Sequence, residues 1–143
     1  MRLQQMISTH PHVGGQVNAS LAQAAEASFE CAQICGSCAD ACLGEPMVAD
    51  LVQCIRLNLD CSDVCLTTGL VSTRRSGGDV PVIRAQLMAC ELACARCAEE
   101  CEHHAQRMEH CRNCAETCRA CERACRAAID SLPETAGSAM TPH

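Results

Sequence analysis

CELACARCAEEC, residues 90–101, decides the fold. Its cysteines, Cys90, Cys94, Cys97 and Cys101, are separated by steps of four, three and four. Residues three and four apart lie above one another on one face of an α-helix, whereas a strand repeats every two. The stretch therefore predicts a helix with a stripe of thiols where leucine normally packs. CAQICGSCADAC, residues 31–42, repeats the spacing with Cys31, Cys35, Cys38 and Cys42. Cys111, Cys114, Cys118, Cys121 and Cys125 extend it, and Cys54, Cys61 and Cys65 form a sparser version.

Four stripes imply four helices. The first is expected from about Gln16 to Leu43, stopping at Gly44, with Pro46 opening the second, which reaches about Val71. The polar segment STRRSGGD, Ser72 to Asp79, reads as a loop. Pro81 marks the start of a third helix reaching about His104. A tight turn near Ala105 and Gln106 leads to a fourth helix ending near Leu132. Short connections favour antiparallel neighbours, so the expected fold is all-α: an up-down-up-down four-helix bundle with a Cys-lined core. Residues 1–15 and 133–143 are expected to be flexible tails around a bundle domain at 16–132.

This topology sorts the ends. One end collects Val17, Leu21, Leu70, Val80, Val82, Ile83, Leu87, Ile129 and Leu132, an apolar plug. The other collects Met47, His103, His104, Met108 and His110, a rim of potential metal ligands.

Composition narrows the function. The chain of 143 residues has 16 Cys, one Phe, no Trp and no Tyr, and a formal net charge of −6. An acidic balance argues against a nucleic-acid partner. No apolar run approaches the roughly 20 residues of a membrane span. The N-terminal MRLQQMISTHPHVGGQ has no apolar h-region, no twin arginine and no small-residue cleavage site, so the expected compartment is the cytoplasm, where thiols stay reduced. A disulfide scaffold fits poorly. Side chains one helical turn apart have Cβ atoms about 5–6 Å apart, whereas a disulfide wants about 3.5–4.5 Å. Cross-helix bridges remain possible.

A lone Cys on a helix is usually a small buried hydrophobe. Sixteen in register are not explained that way, because apolar packing gives no reason to choose Cys over Ala, Val or Leu so often. The pattern points to a container for soft metal. Thiolates select Cu(I), Zn(II) and iron–sulfur clusters. Zinc wants four converging ligands, while Cu(I) accepts two or three, which pairs one turn apart can supply. Separate tetrahedral zinc sites on all the thiols would bury a charge of about −8, costly without counter-ions. Cu(I) on bridging thiolates leaves the core nearly neutral. The ferredoxin run C-x2-C-x2-C-x3-C-P is absent.

With these stripes, almost no aromatics and no export signal, residues 16–132 resemble the bacterial copper storage proteins, and in particular their cytosolic members. The resemblance implies Cu(I) held by cysteine thiolates inside a preformed bundle, and a homotetramer. The exported members have a Met-rich mouth; here the mouth offers mainly histidine. Only Cys54, Cys61 and Cys65 come from the second helix, which leaves stoichiometry open.

Several residues lie beside the stripes. His104 is three after Cys101 and His110 four before Cys114, so both can point into the mouth as ligands; otherwise they are plain surface polarity. His103 is off the stripe and expected to be solvated. Met47 and Met108 are either thioether ligands or end packing. Asn58 occupies a position where another Cys would fit, and there its amide reaches thiolates or backbone unless it turns outward. His10 and His12 lie in the expected tail. Glu99, Glu100, Arg119 and Arg123 fall between the stripes and read as a solvated face.

No Ser–His–Asp arrangement, phosphate loop or carboxylate dyad is visible, so no enzyme is expected. The expected function is storage and sequestration of Cu(I), multiple ions per chain. A zinc store or buffer is the first alternative. A thiol redox protein working through C-x2-C pairs is the second, and it would need exposed, low-pKa thiols.

Overall fold

A computed structural model describes residues 2–134, and among them every regular element is helical. The order is α1 (Arg2–Ser8), α2 (Ala19–Leu43), a 3-10 turn at Val48–Leu51, α3 (Val52–Thr73), α4 (Val80–Glu102) and α5 (Glu109–Ser131). Helices α2 to α5 form the expected antiparallel bundle. Each packs on its neighbour in sequence, and α5 closes the ring against α2.

Caps explain where the helices begin. α2 starts after Asn18, later than Gln16, because Asn18 Oδ1 accepts from the Leu21 amide at 3.0 Å. Asn is a strong N-cap and Gln is not. The same side chain donates to Ser131 Oγ at 3.0 Å, tying the first bundle helix to the last. Asp79 caps α4 by accepting from Val82 N at 3.3 Å, with Pro81 in the first turn. Pro46 does not open α3. The tight 3-10 winding comes first and turns Leu51 fully inward. The α4–α5 connection is also longer than a tight turn at Ala105 and Gln106, running to the extended Met108 before α5.

The segment expected as an N-terminal tail carries a helix. Residues 2–8 form a helix whose Ile7 is buried, and the segment packs on α2. His10 Nε2 reaches Ser76 Oγ in the α3–α4 loop at 3.2 Å. Leu3, Met6 and Ile7 stand at helical spacing, and burial of Ile7 together with this contact holds the segment. The C-terminal tail expected at 133–143 falls outside the described residues beyond Glu134; within them, the Pro133 carbonyl accepts from Arg84 at 2.8 Å.

The plug is smaller than expected. Leu21, Ile83, Leu87 and Ile129 are buried, but Leu70 and Val82 are 45% and 54% exposed. Leu70 lies two residues past Thr68, which continues the inward stripe of α3, so it faces the other way. Val82, one residue before Ile83, is rotated off the inner face in the same manner. Alongside α3, Gly69 brings the Phe29 ring so close that a Cβ would lie 2.6 Å from it.

Candidate metal centre

All sixteen cysteines are free, and each is between 0% and 2% exposed. The stripes of α2, α3, α4 and α5 face one another along the bundle axis, and their sulfurs stack into a column. Near the plug, Cys65 Sγ lies 3.7 Å from Cys90 Sγ and 3.5 Å from Cys94 Sγ. Midway, Cys35 and Cys118 sulfurs are 3.5 Å apart, and Cys114 is 3.7 Å from Cys35. Cys54 and Cys101 approach to 3.8 Å nearer the other end.

The atoms able to bind a metal fall into overlapping groups whose members lie within 4.8 Å of one another. One group is Cys31, Cys65, Cys94 and Cys121; toward the other end follow Cys31, Cys35, Cys61 and Cys118, then Cys35, Cys97, Cys114 and Cys118. Cys38, Cys101 and Cys114 follow, and Cys38, Cys42, His110 and Cys111 form a group toward the far end. Each group shares at least one cysteine with the next, so the column is continuous. Cys125 lies beyond them toward the plug, next to Cys121 and Cys90.

Asn58 fills the gap in the α3 stripe. It is fully buried, and its Oδ1 accepts from the thiols of Cys97 at 2.9 Å and Cys114 at 3.1 Å. Its amide nitrogen donates to Cys54 at 3.6 Å. The amide thus satisfies itself entirely on sulfur, as a buried polar group must.

The two stripe histidines differ. His110 Nδ1 is 3.5 Å from Cys38 Sγ and 3.6 Å from Cys111 Sγ. His104 turns to Glu100, with Nε2 3.3 Å from the carboxylate, although it stays close enough to Cys54 to act on its charge. Glu100 is therefore half-buried against His104 and not part of a solvated face. His103 is exposed, as expected. Met108 is buried at this end, whereas Met47 is 39% exposed.

Two contributors were not anticipated. Ser28 Oγ is buried 3.7 Å from both Cys90 and Cys121, extending the column into the plug. Its signal was its place three before Cys31, on the α2 stripe. Glu45 Oε1 is 3.1 Å from His110 Nε2. It comes from the turn after α2, where no periodicity points to it.

Burial favours the protonated thiol at the two cysteines nearest the open end of α2 and the start of α5. The Cys42 thiol is pushed up to about 11, first by burial and then by the neighbouring Cys54. Cys111 is pushed up by the same causes in the same order. A raised value means that the folded state holds its proton more tightly than the unfolded chain does. Between the ordinary 9.0 and about 11, the folded apo-protein thus binds more protons, and its stability falls as pH rises. The thermal midpoint of reduced apo-protein should drop as pH rises through that window. A midpoint that holds across the window would contradict the assignment.

A helical bundle whose interior is a continuous thiol column defines a class: a container for soft metal ions. Residues 17–130 match the copper storage protein family, Csp, and the chain belongs to that family. The structure of the copper storage protein Ccsp from Streptomyces lividans, loaded with 10 copper equivalents, is similar with a TM-score of 0.87 and 47% identity, over 91% of this chain and 99% of that one. A cytosolic copper storage protein from Streptomyces lividans, in a copper-loading structure with five coppers, matches with a TM-score of 0.79 and 50% identity, over 80% of this chain and 96% of that one. An uncharacterized cysteine-rich protein of Bacillus subtilis, YhjQ, is 31% identical over 75 residues, which are 52% of this chain and 66% of the relative, just under two thirds of its length.

Proposed function

We propose that this protein stores copper as Cu(I), at high capacity and without catalysis, in the cytoplasm. The ligands are the sixteen thiolates, Cys31 to Cys125, with His104 and His110 at the open end. The observation that carries this reading is the sharing of Cys31, Cys35, Cys38, Cys114 and Cys118 between neighbouring groups. Separate tetrahedral zinc sites need four ligands of their own. Cu(I), satisfied by two or three soft ligands, accepts thiolates that bridge to the next ion. Storage, not redox chemistry, also suits thiols that no solvent reaches, since reactive cysteines sit in partially exposed, electropositive places. The cytosolic description of a Streptomyces lividans relative supports the compartment, and no helix among the described residues is long and apolar enough to cross a membrane.

The functional unit is a homotetramer. On α3, Val52, Leu59, Leu66 and Leu70 are between 45% and 64% exposed and share one helical face, and α4 adds exposed Met88 and Leu92 one turn apart. Apolar faces of this kind mark interaction surfaces.

Competition tests the metal. Reduced apo-protein exposed to equimolar Cu(I) and Zn(II), desalted and subjected to elemental analysis, should retain copper almost alone. Retention of zinc in comparable amount would favour a zinc buffer.

A further inference from the structure

Glu45 stands just outside the thiol column, in the turn that follows α2. Its amide donates to the Cys42 carbonyl at 3.2 Å, which fixes the turn against the last cysteine of that helix. Its Oε1 lies 3.1 Å from His110 Nε2. The other ring nitrogen, Nδ1, faces Cys38 Sγ at 3.5 Å and Cys111 Sγ at 3.6 Å. The imidazole therefore bridges a carboxylate and the thiol group formed with Cys38, Cys42 and Cys111.

A neutral imidazole carries one ring proton, and the partner of one nitrogen decides which nitrogen holds it. An ionised carboxylate only accepts, so Glu45 draws the proton to Nε2. Nδ1 is left with its lone pair, directed at the cysteines. Removing Glu45 takes away the contact that favours that tautomer. We propose that Glu45 is a positioning residue for copper entry: it holds His110 with Nε2 protonated and Nδ1 free to take an incoming ion. Glu45 does not itself touch copper. The inference rests on the reading of His110 as a ligand at the mouth. It concerns the rate of entry and release, because His110 belongs to none of the deeper groups described above. Carboxylates that orient a metal-binding histidine in this way are worth about 10–100-fold in affinity or activity at other metal sites.

The test uses full-length reduced apo-protein, with far-ultraviolet circular dichroism on each variant as the check on folding. Two quantities are measured: the 15N shifts of the His110 ring, and the rate of Cu(I) transfer from a Cu(I)–chelator complex by stopped flow. In the unaltered protein Nδ1 should show the shift of an unprotonated ring nitrogen. Glu45→Ala should give a mixture of tautomers and slow transfer by about tenfold. Glu45→Gln, whose amide oxygen still accepts from Nε2–H, should recover most of the rate. In a His110→Ala background, Glu45→Ala should have no further effect. A protonated Nδ1 in the unaltered protein overturns the proposal. So does a Glu45→Ala effect that persists without His110, since Glu45 would then act on the ion directly. A slow His110→Ala with a fast Glu45→Ala overturns this inference alone. An unchanged rate in His110→Ala removes the entry reading and this inference with it.

Discussion

Replacing His104 and His110 with alanine should slow Cu(I) uptake several-fold while most of the capacity stays with the thiols. Leu21→Ala and Ile129→Ala, at the other end of the bundle, should each cost about 2–5 kcal/mol of apo-protein stability, with transfer rates kept. The contrast follows from position. Leu21 and Ile129 are 1% and 6% exposed and offer no ligand atom of their own, so truncation opens a cavity. His110 meets the thiols of Cys38 and Cys111, while His104 stands beside Cys54. Chemical denaturation and stopped-flow transfer measure the two effects separately. If the histidine changes leave transfer untouched and the plug changes accelerate it, copper enters through the end assigned to packing.

Serine at both Cys35 and Cys118 should remove more copper than the two lost thiols account for. Their sulfurs are 3.5 Å apart, and both belong to the group with Cys31 and Cys61 and to the group with Cys97 and Cys114. Removing them halves two adjacent groups at once and interrupts the column between plug and mouth. Loading should then occur in two phases, one on each side of the break. Capacity of the folded variant, read by elemental analysis, decides the matter. A loss of two ions or fewer would mean that the thiols act independently and that bridging is not what makes the store.

The stripes made most of this architecture legible. Steps of three and four set which side of each helix faces inward, and every cysteine so placed is buried. Asn58 and Ser28 follow the same rule, since both stand in stripe register and both reach sulfur. The periodicity could not reveal what side chains in turns would do. Glu45 has no helical phase to read, and its contact with His110 spans 65 positions of sequence. His104 obeys the phase, yet it is claimed by Glu100 one turn earlier on the same helix. Helix α1 was legible in the spacing of Leu3, Met6 and Ile7, but a short segment of this kind needs the burial of Ile7 to hold it.

Titration of reduced apo-protein with Cu(I), followed by elemental analysis of the desalted product, tests the central claim most directly. A continuous column of shared thiolates predicts saturation on the order of one ion per cysteine, about 16 per chain. Saturation near about four ions, as separate tetrahedral sites would require, would contradict it.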